Sequence, residues 1–133
     1  MSTEQVSPAA PFDVWWDDDA GIIRFRVATG AVFGVVEAAA STEAVRALGR
    51  GAVPLLVDMR GIARLDRGAR EHFKIERAGT TASAMLVESA MTKVIANFFM
   101  AIDGGQTPQR MFSDEAAAVA WLGQQRGGQR AST

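Results

Sequence analysis

The run VPLLVD at residues 53–58 constrains this chain more than any other stretch: it is apolar from Val53 to Val57 and stops at Asp58. A surface helix would break such a run with polar residues, and a half-wet strand would alternate. A continuous apolar segment of strand length suits a central strand covered on both faces. ASAMLVES, from Ala82 to Ser89, reads the same way. RLDRGAREHFKIERAG lies between the two and reads as a helix with Asp66 as its N-cap. Buried strands alternating with helices predict an α/β fold with a mostly parallel sheet and helices on its faces.

The flanking segments extend the pattern. DVWWD (Asp13 to Asp17) and IIRFRV (Ile22 to Val27) read as strands, the second with period two, joined by a turn over DDAG with Gly21 free to take positive φ. AVFGVVEAAASTEAVRALG places Phe33, Val36, Ala40, Ala44 and Leu48 at helical spacing, although its Val-rich first half also suits a strand. AMTKVIANFFMAI reads as a helix with Met91, Val94, Ile95, Phe98 and Ile102 inward. QRMF is a short strand, and SDEAAAVAWLGQQ a last helix with Ser113 as N-cap and Gly123 near its end. The expected order is β-β-α-β-α-β-α-β-α, a mixed sheet of about five strands with about four helices. Residues 1–11 and 124–133 are expected to be flexible tails around a single domain over 12–123.

Composition narrows the function. The 133 residues suffice for one domain with one core, and a net charge of −1 creates no field favouring nucleic acid or anionic membrane. There is no cysteine, which removes disulfides, thiolate metal sites and cysteine nucleophiles together. The first residues, MSTEQVSPAAPFD, lack the basic and apolar regions of a signal peptide, and no apolar stretch approaches a membrane span. A cytoplasmic protein without a membrane span is expected.

LLVDMRGIARLDRGA resembles the central strand–loop–helix of the STAS domain of the anti-sigma-factor-antagonist, SpoIIAA-like type. The matching positions are Leu56, Val57, Asp58, Gly61, Ile62, Leu65 and Asp66. VIANFFMAI and RMFSDEAAAVAWL resemble bacterial STAS/SEC14-like proteins, so the likeness runs from about Asp13 to Leu122. It implies a SpoIIAA-like fold and a non-catalytic regulatory or protein-interaction module, expected as a homodimer with a possible further protein partner. One departure matters: phosphorylatable members carry Ser or Thr after the second acid, whereas here Arg67 and Gly68 stand there. The phosphorylation switch of such members is not expected.

The candidate residues each have a structural alternative. Asp58, with Arg60 beside it, sits where open α/β sheets bind ligands, at the carboxyl end of a strand; the alternative is a carboxylate bonded to its own loop backbone. Asp66 is expected to cap its helix. His72, the single histidine, is expected at a helix rim near Glu76, with no nucleophile or metal cluster around it. Arg67, Arg70, Lys74 and Arg77 fall in one quadrant of a helix, either a docking stripe for an acidic partner or a solvated face. The acids in WDDDAG do not match a calcium loop and read as a turn. Phe99 and Met100 fall outside the predicted core face, marking a self-association surface or an apolar groove unless another element covers them. No catalytic residue, cofactor site or metal site is expected. The alternative to an interaction module is a binding domain for a small apolar or lipid-like ligand in a Phe/Met-lined groove.

Overall fold

A computed structural model describes the backbone of residues 11–131 and the side chains of residues 11–125. Its elements run β1 (Phe12–Asp17), β2 (Ile22–Val27), β3 (Val32–Phe33), α1 (Val35–Ala47), β4 (Val53–Asp58), β5 (Arg64–Leu65), α2 (Arg67–Ile75), β6 (Thr80–Leu86), α3 (Ala90–Asp103), β7 (Gln109–Phe112) and α4 (Glu115–Ala131). The main sheet has the order β1-β2-β4-β6-β7. The β1–β2 hairpin is antiparallel and the other pairings are parallel. The five-stranded mixed sheet and four helices follow the expected order. The added feature is a two-residue ribbon, β3 on β5, at the carboxyl end of the sheet.

Loop geometry holds that ribbon in place. Gly30 N–H donates to the Gly61 carbonyl at 2.7 Å, and Ala63 N–H to the Ala31 carbonyl at 2.7 Å. A Cβ at Gly61 would stand 2.8 Å from the Thr29 Cα, so only glycine permits this approach. At the hairpin, Gly21 takes φ 68° and its N–H donates to the Asp17 carbonyl at 2.8 Å, as expected of a turn.

Each face of the sheet has its own apolar cluster. Ile22, Leu56, Ala82, Ala84 and Leu86 meet Ala118 and Leu122 of α4. Ile23, Phe25, Val27 and Met85 face α1, α2 and α3 through Ala38, Val45, Ala69, Ile95 and Ala96.

Several local expectations are corrected. The inward stripe of α1 is Ala38, Ser41, Thr42 and Val45, while Val36 is 72% exposed. Ser41 and Thr42 tolerate burial because their hydroxyls donate to the Ala38 carbonyl at 2.7 and 3.3 Å. On α3, Thr92, Ile95 and Ala96 are buried and Val94 is 67% exposed. The cap sets this rotation: Ser89 Oγ accepts from Thr92 N–H at 3.1 Å, and Thr92 Oγ1 accepts from the Glu88 and Ser89 N–H groups at 2.9 Å. Asp114, not Ser113, caps α4, its carboxylate accepting from Ala117 N–H at 2.8 Å. That helix continues to Ala131, beyond the expected end at Gly123. The tail expected over residues 1–11 lies, except for Pro11, outside the described residues.

Candidate ligand cavity

The two faces of the sheet differ in how closely their helices approach. On the side of α1, α2 and α3 the layers part around a cavity of about 440 Å³, inside the range of roughly 300–1,000 Å³ usual for ligand pockets. Strand alternation builds its floor. One row across the sheet is Phe25, Val57 and Met85, and the row nearer the amino ends of the parallel strands is Leu55, Ser83 and Gln109. Phe73 of α2 and Ile95 and Phe99 of α3 form the roof, with Phe73 and Phe99 edge to face at 5.1 Å. The deep end is closed by Phe33, Ile62 and Leu65 around the β3–β5 ribbon.

The opening lies at the other end, where Lys74, Ile75, Arg77, Gly79 and Gln106 are exposed. It faces the amino ends of β6 and β7, opposite the carboxyl-end location common in open α/β sheets. Burial follows from this shape. Leu55 and Val57 of the central strand were expected to be covered and are only half-buried, because the cavity lies against them. Ile75, at the rim, is 87% exposed.

Polar groups sit at two places in or beside the wall. Thr42 Oγ1 and His72 Nε2 are 3.2 Å apart between α1 and α2. Thr80 Oγ1 and Ser83 Oγ are 3.2 Å apart near the opening, beside Gln109. Asp103 is committed locally: its carboxylate accepts from Thr107 N–H at 2.9 Å and Thr107 Oγ1–H at 3.0 Å.

The other face carries a charged lattice. Arg24 donates to Asp17 and to Glu115, both at 2.7 Å, tying the hairpin to the start of α4. Asp58 accepts from Arg60 through both carboxylate oxygens at 2.9 Å and from Arg60 N–H at 3.1 Å. Burial opposes ionisation of Asp58, but the Arg60 side-chain and backbone bonds and the fields of Arg60 and Arg26 outweigh it and hold its carboxyl below the ordinary range. The Ala20 N–H and then the Arg24 guanidinium lower that of Asp17 in the same way.

The predicted site residues are dispersed. Asp58 and Arg60 form a loop clamp on the α4 side of the sheet, while His72 lies on the opposite side. Glu76, expected as the partner of His72, pairs with Arg46 at 3.5 Å. Asp66 occupies the N-cap position of α2, but its carboxylate takes Arg64 instead of a helix N–H. Three members of the expected basic stripe make bonds within the chain. Arg70 and Arg77 donate to the Leu65 and Phe73 carbonyls, Lys74 pairs with Glu71, and Arg77 lies past the end of α2. Phe99 and Met100 pack against the main cluster instead of standing on an outer flank, and Phe99 is part of the cavity wall. Gly68, two residues after Asp66, faces Val35: a Cβ there would lie 3.3 Å from the Val35 Cβ. Reading the sequence missed Ser83 and Gln109. The available signal was one serine inside an otherwise apolar strand, and a glutamine opening a strand directly beside it.

Among the described residues no group of acids and histidine has the arrangement of a metal site, and no helix is long and apolar enough to cross a membrane. The fold is similar to that of an uncharacterised protein of the DUF3478 family, with a SpoIIAA-like fold, from Shewanella loihica PV-4. The likeness has a TM-score of 0.57 at 14% identity and covers 84% of this chain and 91% of that one. No curated protein matches. Residues 14–126 match a family described as a domain of unknown function, DUF7793. The chain, a SpoIIAA-like α/β domain, therefore belongs to the DUF7793 family.

Proposed function

We propose that this domain binds a small, largely apolar ligand between its sheet and helices α1–α3, and that it does so without catalysis. The supporting observation is the cavity itself. Protein interiors are normally close-packed, yet here the central strand leaves Leu55 and Val57 half-buried against about 440 Å³ of space walled by Phe25, Phe73, Met85 and Phe99. The acids that would serve a reaction are held in ion pairs, and the histidine stands across the sheet from Asp58. Binding of an apolar naphthylamine dye tests the reading. Val57→Phe, which fills the floor, should abolish dye fluorescence while the circular dichroism spectrum is kept. Unchanged dye affinity in that folded variant would refute the assignment.

A second reading is self-association, as the SpoIIAA-like resemblance implies. It is favoured by Val35 and Val36, 54% and 72% exposed at the start of α1. Val36→Asp should then halve the molar mass measured by light scattering; an identical mass in both proteins would remove that surface from consideration.

A further inference from the structure

The two ends of the cavity differ in chemistry and in access. The charged side chains of its wall, Lys74, Arg77 and Asp103, all belong to the open end, where Ile75 is 87% exposed. The far end is apolar and shut: Phe33, Ile62 and Leu65, around the β3–β5 ribbon, are 3%, 7% and 6% exposed. Between the ends, the Ser41 and Thr42 hydroxyls are already spent on the Ala38 carbonyl. The floor follows β4 and its continuation through Leu55, Val57 and Met59, alternate residues that share one face. Four residues at roughly 3.3 Å each make that floor about 13 Å long. The space is therefore elongated, with one wet end and one dead end.

We propose, resting on the binding reading above, that the cavity takes a single-chain amphiphile tail first, and that Phe33, Ile62 and Leu65 set the length of chain it accepts. The tail lies on Leu55 and Val57, beneath Phe73 and Phe99, and points toward the ribbon. The head stays at the opening, where it keeps its water; a charge pushed to the far end would lose that water and meet no counter-charge. The rim carries both signs, Lys74 and Arg77 against Asp103, so selection rests on the tail and not on the sign of the head. Size follows from volume. A cavity of roughly 150 Å³ holds benzene, so about 440 Å³ suits a ligand of roughly fifteen non-hydrogen atoms. Each methylene that leaves water for the wall adds affinity, until the tail meets the ribbon end and further carbons remain outside in water.

The test is displacement of the bound naphthylamine dye by straight-chain carboxylates of increasing length at pH 8, each below its micelle concentration. Affinity should rise about fourfold per added methylene and then level off. The break should fall near twelve carbons, roughly the length that the volume allows once the head is left outside. Dodecanedioate, charged at both ends, should displace at least about a hundredfold more weakly than dodecanoate, because its inner carboxylate must be buried unpaired. Leu65→Ala should move the break about two carbons longer, since relaxation recovers part of the space removed. Ile62→Phe, which advances the wall, should move it to shorter chains; the two native-protein measurements stand even where a variant does not fold. No displacement at any length, a rise without a break, a dioate as effective as the monoacid, or a break unmoved in a folded Leu65→Ala protein would overturn the tail-first assignment alone. Failure of the dye to bind the native protein would overturn the cavity reading, and this inference with it.

Discussion

The two faces of the sheet solve the same packing problem in opposite ways. Beneath α4 the sheet presents Ala82, Ala84 and Leu86, and the helix answers with Ala118 and Leu122, all five buried completely. Small side chains let that helix sit close, and the lattice of Arg24 with Asp17 and Glu115 pins its first turn. Beneath α1, α2 and α3 the buried cluster is larger and includes Ala38, Ala69 and Ala96, yet the layers do not close, and aromatic rings stand around a space instead of filling it. Both faces mix alanines with larger side chains, so the difference lies in how the helices sit and not in residue size alone. The closed seam thus lies on one side of the sheet and the accessible volume on the other.

The sharpest way to break this comparison is to truncate one leucine on each face. Leu122→Ala opens a hole in a closed seam and should cost about 3 kcal/mol in urea unfolding. Leu55→Ala removes a side chain that the cavity already exposes, and should cost about 1 kcal/mol. Equal losses would mean that the cavity face is as closely packed as the other. A loss of about 0.5 kcal/mol is expected for Arg24→Ala, since its ion pairs are partly solvent-screened. Dye affinity should not change in that variant, because Arg24 and the cavity are on opposite faces; a coupled loss would show that the seam and the cavity act as one unit.

The smallest effect concerns acid. Asp17 and Asp58 both have carboxyl groups held below their ordinary range in the folded protein. The unfolded chain therefore binds protons first as pH falls, so their contribution is complete above about pH 5 and is lost progressively below about pH 4. Asp58→Asn should make the acid limb of a stability–pH curve shallower. A limb of unchanged slope would mean that the Arg60 clamp does not distinguish the folded from the unfolded state.

Much of the frame was legible from local pattern. VPLLVD and IIRFRV coincide with β4 and β2 residue for residue, and the alternation of strands with helices implied the parallel sheet. Helix faces were less legible. On α1 the buried positions include Ser41 and Thr42, which hydropathy counts as outward, and only the hydrogen bonds to Ala38 make them compatible with the interior. On α3 the Ser89–Thr92 cap turns the helix so that Thr92 is inside and Val94 outside. Phe99 and Met100 were legible as a special pair, but not the direction they face.

What the sequence determined by itself is the five strands of the main sheet and the four helices, because periodicity and run length act over neighbouring residues. It also determined the absence of cysteine chemistry and of a hydroxyl at Arg67 and Gly68. What only the tertiary structure decided is where apolar surface remains uncovered. The separation of two layers depends on side chains that meet from distant segments, here Phe73, Met85 and Phe99. No local window contains that sum, so the cavity and its end of the sheet emerge only when the chain is folded.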